Sequence, residues 1–228
     1  MHTLAFELSA TPCSVALLRD GAVRLEKRWE MERTSSRRFF PTLSALFTES
    51  GVAPAEVEQY AVGLGPGSFA GLRMALTAAR AMALPGRCAV FGLGSDEVLA
   101  NEWLCEHGGS TLAVVGDARR DRYWLGRFRR AGSGAVERVA PVQLIERAAL
   151  SARLAHCDMV VTPHWDALGA ELDKRRPAGS QLVRQACVPS AGGVGRLAQR
   201  FGRKDGEAGR PLAPVYLHPP PVLRPARP

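Results

Sequence analysis

The sequence predicts an α/β protein in which strands alternate with helices around a mixed or parallel sheet. Three observations carry this prediction. Short apolar runs recur along the chain, amphipathic or alanine-rich segments separate them, and glycine or proline marks most of the junctions. With 228 residues, 46% of them hydrophobic, the chain has enough apolar material for one large or two small domains.

The first thirty residues predict three strands. Apolar runs occupy 4–6 and 13–18, and an alternating segment follows at 23–30. Asp20 and Gly21 lie between the second and third of these segments, and Asp-Gly between extended segments is a strong hairpin signal. The chain therefore opens with a strand, a polar turn and a strand meander.

A helix follows, with apolar residues at helical spacing. Thr34, Ser35 or Ser36 can cap its start, and Gly51 ends it. The apolar residues of this predicted helix are Phe39, Phe40, Leu43, Leu46 and Phe47.

The middle of the chain continues the alternation. We expect a helical turn at 54–58, a buried strand at 59–64, an alanine-rich helix at 69–84, a strand at 88–93, and a helix at 95–105 with Ser95 as its cap. The second half predicts further strands and helices, and no tandem repeat is visible in it. We expect strands at 111–116, 122–130 and 159–163, and helices at 141–155, 165–176 and 189–201.

Charge is unevenly distributed along the chain. The formal net charge is +8, with −3 over residues 1–118 and +11 over residues 119–228. The basic half is compatible with an anionic partner such as tRNA. Only three of the 30 basic residues are lysine, however, and an arginine bias of this kind is also what a GC-rich genome produces. No RRM or KH signature decides between the two interpretations.

Several classes of site are not predicted. The five cysteines are scattered without a C-x-x-C pair, and the five histidines form no pair at metal-ligand spacing. We therefore expect reduced thiols, no metal and no cofactor. No stretch approaches the roughly 20 apolar residues of a membrane span, and the first residues do not resemble a signal peptide. The predicted compartment is the cytoplasm, with no membrane partner.

The most informative segment is a glycine-rich turn between a predicted strand and a predicted helix. Glycines at such a junction let a phosphate approach the free N–H groups of the helix. The segment lacks the G-K-[S/T] of a P-loop, and Ser68 does not fit a nucleophile elbow. A tight turn that lets the helix pack closely is the alternative, and both interpretations stay open. The residues of this turn are Gly63, Gly65, Pro66, Gly67, Ser68 and Gly71.

Several segments together resemble one family. Residues 63–73 resemble the string G-x-G-P-G-S-F-T-G-L-R, and residues 115–124 resemble a segment of the form D-A-R-x-x-E-V-Y. Residues 4–10, 13–17, 189–191 and 214–217 add matches in the expected order. These strings are similar to those of the bacterial TsaB (YeaZ) family, a subunit of the machinery that makes N6-threonylcarbamoyladenosine at position 37 of tRNA.

The resemblance implies an architecture. It implies an α/β protein of the actin/Hsp70-like ATPase (ASKHA) fold, with two lobes of which the second is reduced. The first lobe would comprise 1–107 together with the helix at 189–203. The second lobe would comprise 108–188, and a proline-rich extended tail would follow at 204–228.

The resemblance also implies a function. Such a protein is a non-catalytic subunit that pairs with a TsaD-type catalytic subunit, works with a TsaE-type ATPase, and forms homodimers in isolation. Contact with tRNA would come through the complex. Both pairings would use the two helices of the first lobe. The implied interface residues are Phe39, Phe40, Leu43, Leu46, Phe47, Arg73, Met74, Thr77 and Arg80.

Two departures from the family pattern bear on nucleotide binding. Glu7 occupies a position where the family usually has Asp, and Leu8 replaces a Thr. We therefore regard the turn around Glu7 and Ser9 as a vestigial nucleotide turn. An ATP-binding, small kinase-like enzyme of the same fold is the alternative function, and a peptidase, as the family's older glycoprotease label suggests, is a third.

Overall fold

The computed structural model describes residues 1–30, 36–132 and 134–218. Its first sheet has six strands in the order β11-β5-β4-β1-β2-β3. These strands are β1 (His2–Glu7), β2 (Cys13–Arg19), β3 (Ala22–Trp29), β4 (Val57–Gly63), β5 (Ala89–Leu93) and the short β11 (Arg203–Lys204). β1, β4 and β5 are parallel, whereas β2 and β3 form the antiparallel meander that the sequence predicts.

Helices cover both faces of the first sheet. Helices α1 (Ser36–Ser50) and α2 (Phe69–Ala83) pack on one face, where Leu4 and Phe6 of β1 contribute to the core. Helix α6 (Ala191–Phe201) packs on the other face, which carries Ala5 of the same strand. This alternation of side chains along β1 is why both faces of the strand are buried.

The second sheet has five strands in the order β10-β9-β6-β7-β8. They are β6 (Thr111–Arg119), β7 (Arg122–Arg130), β8 (Val136–Glu146), β9 (Met159–Thr162) and β10 (Gln181–Ala186). Helix α3 (Ser95–His107) packs on one face, against β6, β7 and β8. Helices α4 (Leu150–Leu154) and α5 (Trp165–Arg175) contribute to the core on the other face.

The two lobes repeat one topology. In each, an antiparallel three-strand meander leads to two parallel strands, and the strand order from the meander edge inward is third, second, first, fourth, fifth. The helix after the fifth strand packs in both cases on the sheet of the other lobe, since α3 contacts the second sheet and α6 the first. The sequence shows no repeat because the two halves share topology rather than residues.

Three sequence predictions need correction. The helix predicted at 141–155 begins only at Leu150, because residues 141–146 belong to β8 and pair with β7. Pro141 is compatible with this strand because β8 lies at the edge of the sheet, where an N–H is not required on the outer side. Strand β10 was not predicted. Ser95 does not cap α3, since Gly94 holds that position.

Residues after α6 continue along the body of the protein. Leu212 is buried in the core of the first lobe, and the Val215 N–H donates to the carbonyl of Leu64 at 2.8 Å. Residues 219–228 of the predicted tail and the predicted caps Thr34 and Ser35 lie outside the described residues. Within the described ranges, no helix is both long and apolar enough to cross a membrane.

Candidate functional site

The glycine-rich turn packs against the segment between β1 and β2. Ser68 donates its N–H to the Ser9 carbonyl at 2.7 Å, and its hydroxyl accepts the Gly71 N–H at the start of α2. A Cβ on Gly67 would overlap the backbone of Ser9, and Gly65 has a φ of +89° that L side chains rarely adopt. The glycines therefore serve close backbone packing, which favours the tight-turn interpretation.

Glu7 belongs to the turn that we regard as a vestigial nucleotide turn. Its side chain is buried, and Oε1 accepts the Ser9 N–H at 2.8 Å. Oε2 has no hydrogen-bond partner in the described part of the chain, and a Cβ on Gly63 would overlap it. Burial raises the pKa of Glu7, although hydrogen bonds with Ser9 oppose the shift. The carboxyl group therefore packs against the glycine-rich turn rather than facing an open cradle.

The cavity between the Ser9 segment and the second lobe is nearly filled. Ser9 and Pro66 of the first lobe face Trp124 and His164 of the second, and Pro189 closes one side. The remaining cavity of about 10 Å³ has room for about one water molecule. This cavity is therefore too small for a nucleotide, whereas a wider opening of about 440 Å³ lies beside it, lined by Leu64 and Gly94 of the first lobe and Arg138 of the second.

His164 is held in the cleft by the backbone of β6. Its Nδ1 accepts the Asp117 N–H at 3.0 Å, and its ring meets the edge of Trp124 with ring centroids 6.4 Å apart. Burial lowers the pKa of His164, so the neutral imidazole is favoured. The histidine spacing in the sequence does not indicate this position of His164 in the cleft.

A buried ion pair connects the cleft to the second lobe. Asp96, in the first turn of α3, accepts hydrogen bonds from Nη1 and Nη2 of Arg138 at 2.6 and 2.9 Å. The neighbouring hydroxyl of Ser95 accepts the Gly65 N–H at 3.0 Å, which is the role that replaces its predicted cap. Arg138 lies 42 residues further along the chain, in a segment for which the sequence predicts no element, so no local pattern indicates this pair.

The outer face of α1 differs from its prediction. Phe39, Leu43 and Leu46 are buried in the core of the first lobe, so their side chains stabilise the fold and cannot meet a partner directly. Phe40 is 64% exposed, and Phe47 is half-buried. Of the predicted interface residues on α1, Phe40 is therefore exposed and Phe47 is exposed in part.

The outer face of α2 retains more of the predicted residues. Arg73 and Thr77 are exposed, and Met74 is half-buried against the core. Arg80 is half-buried and pairs with Asp205, donating from Nε at 2.7 Å. These four residues and Phe40 lie on the two helices that cover the same face of the first sheet.

Sequence reasoning missed an aromatic–guanidinium patch at the start of α2. Phe69 is 55% exposed and Tyr216 is 47% exposed, with ring centroids 5.2 Å apart. The Arg73 guanidinium carbon lies 3.9 Å from the centroid of the Phe69 ring, and its Nε donates to the Tyr216 hydroxyl at 2.9 Å. In the sequence, Tyr216 belongs only to a segment that resembles the family, and no pattern indicates that it lies beside α2.

Metal binding and thiolate chemistry find little support in the described ranges. There, no three His, Cys, Asp or Glu side chains come together as a group that could hold a metal ion. Burial raises the pKa of the Cys13 thiol to about 12 and that of Cys187 to about 11, so neither is poised as a thiolate nucleophile.

Comparisons with known proteins agree on one family. The family model for the tRNA N6-adenosine threonylcarbamoyltransferase TsaD matches residues 30–155, more than half of the chain. The tRNA threonylcarbamoyladenosine biosynthesis protein TsaB of Escherichia coli is 28% identical over 135 residues, which are 59% of this chain and 58% of that protein. The TsaB protein of Bacillus subtilis is 29% identical over 143 residues, 63% of this chain and 61% of that protein. The matches thus span about three fifths of the length of these relatives.

Solved structures extend the similarity to the whole fold. YeaZ from Pseudomonas aeruginosa has a TM-score of 0.76 and 25% identity, covering 95% of this chain and 99% of its own. A second structure from the same organism, described as similar to the peptidase YeaZ, matches equally well. With the duplicated two-sheet topology, the fold class is the actin/Hsp70-like ATPase (ASKHA) fold. The chain therefore belongs to the TsaB/YeaZ family.

Proposed function

We propose that this chain takes part in making N6-threonylcarbamoyladenosine in tRNA, as a non-catalytic subunit that binds a TsaD-type catalytic subunit. The names of its TsaB relatives support the pathway. The observation that carries the non-catalytic role is the cavity at Ser9, Trp124 and His164, which at about 10 Å³ leaves no space for a nucleotide at the predicted nucleotide turn. A cytoplasmic location and work alongside a TsaE-type ATPase are part of the same proposal.

The binding surface that we propose is the outer face of α1 and α2. Phe40 is exposed there, and a large aromatic side chain held on the surface of a rigid helix is typical of a binding hot spot. Arg73, Met74, Thr77 and Arg80 supply the neighbouring surface on α2.

A reconstituted reaction tests the proposal. Purified TsaD-type subunit, TsaE-type ATPase, threonylcarbamoyl-adenylate and tRNA are combined with and without this chain. We expect modified adenosine, measured by nucleoside mass spectrometry, only when the chain is present. Undiminished modification without the chain would overturn the proposal, and heat of ATP binding to the isolated chain in calorimetry would favour the kinase-like alternative.

A matched pair of variants tests the surface. Phe40→Asp places a charge on the proposed face, whereas Val139→Asp places one at a similarly exposed apolar position, 50% exposed, on β8 of the second lobe. We expect only Phe40→Asp to lose co-purification with the TsaD-type subunit. Sedimentation of the same variants tests homodimerisation, which is expected to use the same face.

A further inference from the structure

Residues 212–218, which we call the strap, are attached to the first lobe at their start. The Leu212 side chain is buried in the core of that lobe, and the Val215 N–H donates to the Leu64 carbonyl at 2.8 Å. Leu64 directly precedes the part of the glycine-rich turn in which Pro66 lines the small cavity between the lobes. The strap is thus fixed to the first-lobe side of that cavity.

The end of the strap is attached to the second lobe. Leu217 packs against the core of that lobe, and Nε2 of the His218 ring donates to the Ala118 carbonyl at 2.6 Å. Ala118 belongs to the same core cluster as Trp124, whose ring lines the small cavity from the second lobe. The two ends of the strap therefore hold opposite walls of one cavity.

The strap crosses the boundary between the lobes beside an open space. The opening of about 440 Å³ is lined by Val215 of the strap together with Leu93 of the first lobe and Val142 of the second. An opening of this size shows that the described side chains of the two lobes do not pack closely against each other at this place. Here the strap joins the lobes where a continuous apolar interface does not.

The chain also connects the lobes at α3 and at the segment before α6. These two helices pack against each other, and the Ser190 hydroxyl at the start of α6 donates to Glu102 of α3. Two adjacent connections of this kind permit rotation of one lobe against the other, as at a hinge. The strap is a further connection that is made on different elements, so it opposes such a rotation.

We propose that the strap is a latch that holds the two lobes closed, and that its release lets the second lobe rotate about α3 and α6 and widens the cavity at Ser9, Trp124 and His164. The open form is then populated according to the free energy that the two attachments contribute. Leu217 is half-buried and His218 contributes one hydrogen bond, so the second-lobe attachment can be released without unfolding either core. The inference is independent of the proposed function, because it concerns this chain alone.

Hydroxyl-radical footprinting of the full chain tests the latch. Trp124 and Trp29 are both buried, the first at the cavity between the lobes and the second in the core of the first lobe. Oxidation of each tryptophan is measured by mass spectrometry in the wild type, in His218→Ala, and in the double variant Leu217→Ala/His218→Ala. We expect oxidation of Trp124 to rise roughly 2–5-fold in the single variant and roughly 5–20-fold in the double variant. Oxidation of Trp29 should stay within about twofold of the wild type in both.

A leucine outside the strap provides the matched control. Leu84 is 74% exposed at the end of α2, so Leu84→Ala should leave the oxidation of both tryptophans unchanged. If Trp124 is as protected in the strap variants as in the wild type, the contacts of α3 and α6 alone close the lobes and the latch is overturned. An equal rise at Trp124 and Trp29 overturns it as well, because that pattern indicates general unfolding. His218→Ala removes one hydrogen bond and leaves both cores intact, so it decides the question if the double variant does not fold.

Discussion

The two lobes share a strand order but differ in what covers it. In the first lobe, two helices of fifteen residues each, α1 and α2, lie on the outer face of the sheet. In the second lobe, the corresponding helices α4 and α5 have five and eleven residues. The longer pair provides an extended helical face with exposed Phe40 and Arg73, and the shorter pair provides only enough apolar surface to close a core. The same topology thus carries the proposed docking face in one lobe and a shorter helical cover in the other.

The inner helices α3 and α6 show a feature that the two lobes share. The last helix of each lobe packs on the sheet of the other lobe, and each of these helices has a charged contact at its N-terminus. Asp96 at the start of α3 meets Arg138 of the second sheet, and Ser190, which caps α6, donates a hydrogen bond from its hydroxyl to Glu102 of α3. These contacts join the lobes beside the small cavity at Ser9, Trp124 and His164.

The largest effect is expected from neighbouring residues on α1. Phe39 is fully buried and Phe40 is 64% exposed, although they are neighbours on α1. Substitutions at these two positions should therefore distinguish an effect on folding from an effect on the proposed docking. Phe39→Ala should lower the free energy of unfolding by about 3–5 kcal/mol through loss of apolar contacts and a cavity. Phe40→Ala should change it by no more than about 0.5 kcal/mol. Urea denaturation measures both, and equal effects would contradict the inside–outside assignment of α1.

The next effect concerns the contact between α3 and the second sheet. Arg138→Ala leaves the Asp96 carboxylate buried without its guanidinium partner. We expect a loss of about 3 kcal/mol, near the lower end for buried pairs, because Arg138 is partly exposed and water can reach the vacated space. Arg129→Ala, which breaks the exposed pair with Glu137 on the same sheet, should cost about 1 kcal/mol or less. Similar losses for the two variants in thermal or urea unfolding would show that the Asp96 pair does not hold the lobes.

The contact between α3 and α6 should give a pH dependence. Burial raises the pKa of Glu102 from 4.5 to about 7, with Arg196 opposing the shift and Glu26 adding to it. Between these pH values the folded chain keeps a proton that the unfolded chain releases, so raising the pH lowers the free energy of unfolding. We expect Glu102→Gln to remove about 2 kcal/mol of this decline between pH 5 and pH 8.

Comparison with a neighbour on the same helix isolates that effect. Glu106 is exposed on α3, so Glu106→Gln should leave the pH profile of stability unchanged. The measurement is urea denaturation of the wild type and both variants at several pH values. Parallel profiles for the wild type and Glu102→Gln would contradict a role of the Glu102 proton in holding α6.

Much of the fold was predictable because local patterns and tertiary structure agree. The meander at the start of the chain and the alanine-rich α2 follow from spacing and turn chemistry. The helix predicted at 141–155 failed in its first part, because Leu144 and Ile145 pair with Trp124 and Tyr123 of β7, and this long-range pairing overrides the local helical pattern.

The candidate site was less predictable than the fold. Helical spacing identified the apolar residues of α1 but not which of them face the core. Phe39, Leu43 and Leu46, which the family resemblance assigned to an interface, are buried in the core. The patch around Arg73 joins residues more than 140 positions apart, and a segment with many prolines carries no periodicity that would indicate it. Contacts of this kind depend on the path of the chain in space.

The smallest expected effect concerns the segment after α6, which runs over the first lobe. Arg80 holds the segment after α6 with hydrogen bonds to the carboxylate of Asp205 and the carbonyl of Leu212. Arg80→Ala should cost about 1–2 kcal/mol, because charge-assisted bonds at a half-exposed site are partly replaced by water. Hydrogen exchange of the Leu212 and Val215 amides should accelerate in this variant, whereas the amides of β10 should not change. Because Tyr216 follows Leu212 and Val215, the same variant should also weaken the hydrogen bond between Tyr216 and Arg73. Unchanged hydrogen exchange at Val215 would show that burial of Leu212 alone keeps the segment in place.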